Sequence, residues 1–474
     1  MSDLILAAPE IFLITAISVV LLVDAFLPVD RRRITYSLAL LSLVGTAATT
    51  AYFSVNETVI AFSGSFVADP AGSTLKTFAY LIVAIVFLYS RDYLDRAGLF
   101  RGEFFVLGLF GLLGIMVIIS GHNLLTLYLG LELLSLSLYA LVAFNRDSGT
   151  SAEAAMKYFV LGAIASGTLL YGISFLYGIT GTIELQALGE HFRGSDALGL
   201  PLLLALAFII VGIAFKFGAV PFHMWLPDVY QGAPTPVTLY VGSAPKIAAF
   251  ALTWRVLVDG LGGLHESWAG MVVVLAVLSL GIGNIVAIAQ SNLKRMLAYS
   301  TISHVGFILM GFIVGTQEGL RASMFYTLTY VIMATGAFGM IILLSRKGFE
   351  AENLEDFKGL NARSPWFALV MLMIMFSMAG VPPFVGFYAK VVMLESLLVG
   401  NMLWLAVLAV FFTVIGAFYY LRIVWYMYFS DPVNEESLEA ATDLRVVLSI
   451  NGLVLLALGV FPGALLNLCA RVMP

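Results

Sequence analysis

Long apolar segments separated by short polar loops follow one another along almost the whole chain. The hydrocarbon core of a bilayer is about 30 Å thick, so a helix needs about 20 mostly apolar residues to cross it. Segments of that length recur about fourteen times, and because backbone groups in lipid must bond to one another, they are predicted to be helices. The sequence therefore predicts an all-α polytopic membrane protein. The predicted spans are residues 4–27, 34–53, 74–90, 104–120, 124–144, 154–180, 202–226, 237–257, 268–289, 297–314, 324–344, 365–399, 404–429 and 446–468.

The composition excludes a soluble domain and several classes of function. Of the 474 residues, 61% are hydrophobic and 11% are charged, whereas soluble domains have about 25% charged residues. The net charge of −5 is small and the acidic residues lie in loops, so nucleic acid is not an expected partner. The single cysteine, Cys469, leaves no thiolate set for an iron–sulfur cluster, and no glycine-rich dinucleotide loop occurs. No redox cofactor is therefore expected on this chain.

Lysine and arginine are distributed unevenly among the loops. The basic groups at 31–33 and 346–363 follow odd-numbered spans, whereas loops after even-numbered spans hold little beyond Arg193 and Arg321. Cytoplasmic loops collect lysine and arginine. We therefore expect loop 346–363 to lie in the cytoplasm, loop 184–196 to lie outside it, and both termini to be non-cytoplasmic.

Two proline-containing breaks interrupt predicted spans, and each has a lysine nearby. Lys216 precedes the break at Pro221, and Lys390 follows the break at Pro382. Proline removes a backbone donor, and discontinuous helices are tolerated in membranes only where they line protein or water. Because an odd number of spans separates the breaks, the second copy would be inverted, so two inverted five-helix repeats, each with a discontinuous helix, are predicted. The single membrane domain 1–474 would then contain N-terminal spans in 1–103, repeats at 104–257 and 268–429, and a C-terminal span at 446–468.

Ionisable residues inside predicted spans are the candidate functional residues. A lysine at mid-span costs about 2.5–3.5 kcal/mol on insertion scales, and such residues usually face a bundle interior or an ion path. Making or breaking one Glu–Lys contact at 4 Å is worth about 4 kcal/mol at an effective dielectric of about 20, which is enough to load or unload a proton. The candidates for such a proton relay are Glu132, Lys157, Lys216, His223, Lys246, His304 and Lys390.

Plain structural explanations compete for several residues. Lys157 lies about one turn inside its span, where a lysine can snorkel to the interface, and a single buried histidine is more often a satisfied core group than a relay. We interpret Lys294 and Arg295, at a loop edge, as ordinary cytoplasmic basic residues, and Gly311 and Gly315 as a helix-packing pair. The lysine-rich interior suits protons better than sodium, which needs several oxygen ligands.

The segment 221–237 reads PFHMWLPDVYQGAPTPV and resembles the hallmark segment of the antiporter-like membrane subunits of respiratory complex I. Its DVYQGAP form is most similar to the N-type members, and the resemblance covers nearly the whole chain. It implies a proton-translocating membrane-arm subunit of a bacterial NADH–quinone oxidoreductase, in the inner membrane, beside M-type and K-type subunits. FMN, iron–sulfur clusters and quinone are then expected on partner subunits, and the chain is enzymatic only as part of that translocase.

The same resemblance assigns roles to the candidate residues. It matches Glu132 and Lys157 with the family's fifth- and sixth-span pair, and Lys216 with the lysine of the first broken helix. By the same likeness, His223 and His304 match the histidines of the connecting axis, Lys246 the eighth-span lysine, and Lys390 the terminal lysine, where M-type members typically have glutamate. Two other interpretations stay open. One is a subunit of a multisubunit sodium/proton antiporter, and the other is a passive scaffold whose buried charges hold helices together.

Overall fold

The computed structural model describes residues 3–28, 31–193, 199–432 and 440–473, and most of them are helical. Within this part of the chain, 13 helices are long and apolar enough to cross a membrane. The prediction of an all-α polytopic fold is therefore confirmed. Of the loop predicted at 184–196, residues 194–196 lie outside the described residues.

The helices follow the predicted spans closely along the chain. In order they are α1 Asp3–Leu6, α2 Ala8–Phe26, α3 Arg33–Tyr52, α4 Pro70–Arg96, α5 Gly102–Ser120, α6 Leu124–Val142, α7 Gly149–Thr180, α8 Leu185–His191, α9 Leu200–Phe217, α10 Trp225–Gly232, α11 Thr235–Gly242, α12 Ala244–Thr253, α13 His265–Ile288, α14 Leu293–Val314, α15 Gln317–Leu344, α16 Leu360–Arg363, α17 Pro365–Ala379, α18 Val385–Val399, α19 Leu403–Phe429, α20 Thr442–Val460 and α21 Gly463–Val472.

A few shorter elements complete the described chain. A π-helix, Trp254–Gly260, continues α12, and 3₁₀ turns occur at Gly262–Leu264 and Leu354–Phe357. An antiparallel hairpin pairs β1, Val59–Ala61, with β2, Phe66–Ala68.

Both predicted breaks are present, and they have the same local form. Helix α9 ends at Phe217 and is followed by Gly218 with φ +75°, while α17 ends at Ala379 and is followed by Gly380 with φ +85°. Glycine reaches positive φ without the steric cost of a Cβ atom, which is why it terminates helices here. The chain starts a new helix only at Trp225 after the first break, so the predicted span 202–226 is helical for about its first two thirds before the break.

A third interruption was not predicted. The span expected at 237–257 is divided at Ser243, where φ is −118° and ψ is −89°, and Pro245 stands in the first turn of the helix that follows. The predicted span 365–399 is present as two helices of 15 residues each, α17 and α18, on either side of the predicted break at Pro382.

The chain forms two compact units, each with its own core. Unit 1 comprises Met1–Ala84, Arg101–Phe217 and Ala244–Val273. In this unit α5 and α6 approach so closely that a Cβ atom added to Gly114 would lie 2.8 Å from the carbonyl oxygen of Gly130. Small residues allow such backbone contact between membrane helices. This contact fixes the position of α6, which carries two of the groups described below.

Unit 2 comprises Ile85–Phe100, Gly218–Ser243 and Val274–Pro474. Its centre is α15, whose apolar stretch is entirely buried by protein. A Cβ atom on Gly311 would lie 2.3 Å from the carbonyl oxygen of Gly319, so Gly311 does serve helix packing, but its partner is on α15. Gly315 instead caps α14 with φ +68°. The two inverted repeats and their boundaries stay a prediction.

Candidate functional site

In unit 1, Lys216 bonds to a serine that lies on the same helix as Glu132. Lys216 Nζ donates to Ser135 Oγ at 2.6 Å, and Ser135 follows Glu132 by three residues on α6, which places both on one face. The Glu132 carboxylate acts electrostatically on Lys216, and its Oε1 has no hydrogen-bond partner among the described residues. A carboxylate, a hydroxyl and an ammonium group therefore lie close together in unit 1.

Lys246 donates a hydrogen bond to the backbone at the first helix break. Its side chain is 1% exposed, and Nζ donates to the carbonyl oxygen of Phe217 at 2.8 Å. Phe217 is the last residue of α9, so its carbonyl has no intrahelical N–H partner. The partial negative charge at a helix C-terminus favours a cation there. The interruption at Ser243 is three residues before Lys246, at the start of the short helix that carries it.

Lys390, in unit 2, likewise donates hydrogen bonds to the backbone at the second break. Its Nζ donates to the carbonyl oxygens of Met378 and Ala379 at 3.1 and 2.9 Å, in the last turn of α17. A Cβ atom on Gly380 would lie 2.8 Å from Lys390 Cδ, so the glycine leaves room for the lysine stem. In the described part of the chain no carboxylate pairs with this ammonium group.

His304 lies beside Lys390 and is enclosed by hydroxyl groups. It is 3% exposed, with Tyr326 Oη 2.8 Å from Nδ1 and Tyr420 Oη 3.1 Å from Nε2. Tyr420 Oη also forms a hydrogen bond with Ser300. A cavity of about 10 Å³ connects the two titratable groups, and that volume suits about one water molecule. Its lining is Asn284, Ser303, His304, Phe307, Lys390, Thr413, Gly416, Tyr419 and Tyr420.

His223 lies in the turn that follows the first break. It is half-buried, and its ring centroid is 6.5 Å from that of Tyr299. Its Nδ1 has no hydrogen-bond partner among the described residues. The structure therefore gives His223 an unoccupied acceptor or donor position in unit 2, but no direct bond to another of the predicted residues.

Lys157 is placed differently from the other lysines. It forms an ion pair with Glu153 at 2.8 Å, and the two side chains are 44% and 67% exposed. The pair is one helical turn apart on the outer face of α7, as the snorkelling explanation requires. The pairing of Lys157 with Glu132 that the resemblance implies stays a prediction.

The interpretation of Lys294 as an ordinary loop residue is wrong. Its side chain is 1% exposed and lies 3.3 and 3.6 Å from the carboxylates of Glu350 and Glu352. Nζ also donates to the carbonyl oxygen of Ala233 at 2.9 Å. Glu350 further accepts from the hydroxyl of Tyr93 at 3.2 Å and from that of Thr235.

The pKa of Glu350 reflects this surrounding. Burial alone raises the pKa, but the Lys294 ammonium and the Thr235 and Tyr93 hydroxyls outweigh it and hold the pKa below its usual value. Arg295 agrees better than Lys294 with the interpretation as an ordinary basic residue at a loop edge. Its side chain is 30% exposed, and it pairs with Asp228 at 2.7 Å.

Sequence reasoning also missed a buried charge cluster around Arg255 in unit 1. The guanidinium is 3% exposed and pairs with Asp69 at 2.5 Å and with Asp259 at 3.1 Å. Its Nε donates to the carbonyl oxygen of Ile119 at 3.2 Å. A signal was available, because Arg255 stands inside the predicted span 237–257.

The titratable groups of the site form two pairs, one in each unit. Among the described residues, no group of three or more histidine, cysteine, aspartate or glutamate side chains is placed to hold a metal ion. Unit 1 brings Glu132 and Lys216 together, and unit 2 brings His304 and Lys390 together. Each pair places a part-buried ammonium group near a second titratable group.

Comparisons with known proteins agree along the whole chain. A family profile described as "NADH:quinone oxidoreductase/Mrp antiporter, TM" matches residues 121–416. The chain is 60% identical over 467 residues to NADH-quinone oxidoreductase subunit N of Thioalkalivibrio sulfidiphilus, covering 98% of this chain and 97% of that protein. It is similar to a chain in the structure of respiratory complex I from Thermus thermophilus, with a TM-score of 0.84, 32% identity and coverage of 98% and 100%. A chain of the Mrp complex from Dietzia sp. has a TM-score of 0.87 at 22% identity, covering 98% and 96%, and shows the fold alone.

Proposed function

This chain belongs to the NADH:quinone oxidoreductase/Mrp antiporter transmembrane family, and from that premise we propose that it is a proton-translocating membrane subunit of a NADH–quinone oxidoreductase. The relative that is 60% identical is named as subunit N of that enzyme, and the 32% identical chain comes from respiratory complex I. NADH oxidation and quinone reduction, with FMN and iron–sulfur clusters, belong to other subunits. The neighbours in the membrane arm are M-type and K-type subunits.

The observation that carries the proposal is the setting of Lys390. Its ammonium group lies at the carbonyl end of a broken helix, beside a water-sized cavity that it shares with His304. A cation held by carbonyl dipoles, with no paired carboxylate in the described chain, is poised to exchange its proton when its surroundings change. A purely structural cation would instead be expected in a fixed ion pair.

We assign the proton path within each unit separately. In unit 1 the proton moves between Glu132 and Lys216 through Ser135, and Lys246 is the next carrier. In unit 2 it moves between His304 and Lys390. His223, in the turn after the first break, and Lys157, on the outer face of α7, are assigned to the relay from the family resemblance.

The proposed location is the bacterial inner membrane, with both termini on the non-cytoplasmic side. The bias of lysine and arginine toward loops after odd-numbered spans supports this orientation. The sodium/proton antiporter interpretation loses support, because the 22% identical Mrp chain supports only the shared fold.

The experiment that tests the function uses the assembled complex in inverted membrane vesicles. NADH oxidation should acidify the vesicle interior in sodium-free buffer, and a sodium ionophore should leave this acidification unchanged. Lys390→Ala should assemble but lose most of the acidification, whereas Lys347→Ala, an exposed lysine in a loop, should behave like the parent. Acidification that requires sodium, or a Lys390→Ala complex that pumps at the parental rate, would contradict the proposal.

A further inference from the structure

A cavity of about 310 Å³ lies in unit 2 where α4 and α15 end, and no residue of the proposed proton path lines it. Its lining is Tyr93, Arg96, Ala97, Ser345, Arg346, Gly348, Phe349 and Glu350. Ligand-binding pockets in proteins have volumes of about 300–1,000 Å³. The cavity is therefore large enough for a small molecule or for the headgroup of a lipid, and two arginines contribute to its wall.

The cavity lies at the depth of the lipid headgroups. Helices Pro70–Arg96 and Gln317–Leu344 are both long and apolar enough to cross a membrane, and the cavity is lined by the end of the first and by residues that follow the second. Trp366 stands in the first turn of α17, which begins on the same side of the membrane; it is exposed and donates its indole N–H to Ser449 at 2.8 Å. Tryptophan is enriched at the membrane–water interface. A molecule in the cavity is therefore level with the phosphate groups of the bilayer.

A short turn holds Arg346 at the cavity. The N–H groups of Arg346 and Phe349 each donate to the other's carbonyl oxygen, at 2.9 and 3.0 Å, and Gly348 completes the turn with φ +77°. The guanidinium carbon of Arg346 lies 5.0 Å from the centre of the Phe349 ring, a distance at which a cation is attracted to the ring face. These contacts restrict the position of the guanidinium group before any ligand binds, which lowers the cost of binding.

Arg96 is fixed at the end of α4. Its Nη1 donates to the carbonyl oxygen of Ser345 at 2.8 Å, and its Nη2 pairs with Asp92 at 3.1 Å. These bonds tie the end of α4 to the residue that follows α15. Arg96 therefore gives the cavity a fixed wall, and Arg346 is the group placed to bind a ligand.

Glu350, the acidic residue of the lining, is engaged by other groups. Its carboxylate accepts from the hydroxyl of Tyr93 at 3.2 Å and lies 3.3 Å from Lys294 Nζ. The buried ammonium group partly balances its charge. Glu350 therefore repels an anion in the cavity less than an isolated carboxylate does.

Positive charge is concentrated beside the cavity. Burial lowers the pKa of Arg363, the positive charge of Arg346 lowers it further, and Asp356 partly opposes this. Arg346 and Arg363 are thus close enough to repel each other, and the next residue of the loop, Lys347, is exposed. An anion beside Arg346 offsets this repulsion. Phosphate matches a guanidinium group in geometry, because its oxygens accept two parallel N–H bonds.

A lipid bound here also finds an apolar surface for its acyl chains. Helix α20 starts beside the end of α4, where Arg91 pairs with Asp443 at 2.9 Å. Further along α20, the side chains of Val446, Ile450 and Leu453 are exposed, and their spacing places them on one face of the helix. This face is an apolar strip that runs from the headgroup level into the hydrocarbon.

We infer that the cavity at the ends of α4 and α15 binds the phosphate headgroup of an anionic phospholipid. Arg346 binds the phosphate, Arg96 and Ser345 form a fixed part of the wall, and Phe349 packs against the glycerol. Basic pockets between membrane helices on the cytoplasmic side suit such headgroups, and this is the cytoplasmic side in the orientation proposed above. Lipid binding here does not depend on the proton path.

The test uses the assembled complex, delipidated in detergent, and a radiolabelled phosphatidylglycerol that carries a photoreactive group near its glycerol. After irradiation, the label on the peptides that contain residues 91–97 and 345–350 is counted. Arg346→Gln should raise the lipid concentration for half-maximal labelling by about tenfold, because a charge-assisted bond to the phosphate is lost. Ala97→Phe, which fills the cavity and keeps both arginines, should abolish labelling of these peptides. Lys347→Ala is the matched control, because it removes a positive charge from the same loop outside the lining, and it should label like the parent.

Several results would overturn the lipid site. Equal labelling of the parent, Arg346→Gln and Ala97→Phe would do so, as would an unlabelled parent complex, in which a partner subunit covers the cavity. An equal loss in Arg346→Gln and Lys347→Ala would show diffuse attraction to a basic loop instead of a site.

Competition distinguishes a lipid from a soluble anion. Unlabelled phosphatidylglycerol should displace the probe, whereas inorganic phosphate at millimolar concentration should not; displacement by phosphate to the same extent would assign the cavity to a soluble anion and refute the lipid. If Arg346→Gln does not assemble, Ala97→Phe decides, because it leaves every charge in place. Labelling is measured without proton pumping, so each of these outcomes leaves the proposed function standing.

Discussion

Replacing Lys216 with alanine tests whether the ammonium group in unit 1 carries protons or holds helices together. The side chain lies in the last turn of α9 and donates to Ser135. Alanine removes the titratable group and leaves the helix intact, because alanine is the best helix former. The two interpretations predict opposite orders of damage for Lys216→Ala and Lys216→Arg, since a guanidinium keeps the charge but does not release its proton.

The energetic cost of the change is small. Keeping an ammonium group at mid-span costs about 2.5–3.5 kcal/mol, and the charge-assisted hydrogen bond to Ser135 at 2.6 Å returns about 1.5–3 kcal/mol. These contributions nearly cancel, so Lys216→Ala should change stability by only about 1–2 kcal/mol. Ser135 keeps its bond to the carbonyl oxygen of Leu131 at 2.5 Å.

The assay measures complex content, NADH–quinone activity and vesicle acidification on the same membranes. We expect normal content for Lys216→Ala, acidification reduced by about tenfold or more, and incomplete recovery with Lys216→Arg. Lys347→Ala again serves as the control. Normal pumping per electron by a fully assembled Lys216→Ala complex would refute the reasoning, and so would an arginine variant that restores both rates.

Three further predictions follow from particular contacts. Lys294 and two hydroxyls hold the pKa of Glu350 below its usual value, so the stabilisation they provide is present above about pH 4.3 and is lost as the pH falls through the folded pKa. Glu350→Gln should therefore lower the thermal midpoint of the purified complex at pH 7 by removing about 1–3 kcal/mol of stability. The control Glu57→Gln, at an exposed site, should leave the midpoint unchanged. Gly380→Ala should cost about 1–2 kcal/mol of stability because of the positive φ at this position, and it should also displace Lys390 and lower acidification. Gly348 has a similar φ of +77°, but no atom lies within 4 Å of the added Cβ position. Gly348→Ala should therefore leave acidification unchanged. In a Cys469→Ser background, a cysteine at position 347 should react with an impermeant thiol reagent from the cytoplasmic side and one at position 191 only from the other side; the reverse pattern would invert the orientation.

Local patterns in the sequence predicted most of the fold. Apolar length placed the spans, and proline after glycine placed the breaks at Pro221 and Pro382, because these effects act within a few residues. The interruption at Ser243 was missed although Pro245 signals it, since the surrounding run is mostly apolar and long enough to read as one helix. Local signals thus recover helices more completely than they recover the breaks within them.

Tertiary pairing explains what could not be predicted of the site. Lys294 is buried by Glu350, 56 residues further along the chain, and Arg255 is buried by Asp69, 186 residues away. In the sequence Lys294 resembles the basic flank of a span and Arg255 stands inside one, but only the folded chain brings their carboxylates to them. Lys157 is the opposite case, because its place on the outer face of α7 depends on which side of the helix the rest of unit 1 covers.

The small cavity between His304 and Lys390 also bears on leakage. Its volume of about 10 Å³ matches about one water molecule. Each elementary charge that moves down a membrane potential of 100 mV releases about 2.3 kcal/mol, so a wide aqueous pore here would drain the stored energy of the membrane. A metal cation would have to shed nearly all its hydration and pass an ammonium group to cross this point. A space of this size would let a proton pass between His304 and Lys390 but would not admit a hydrated metal cation.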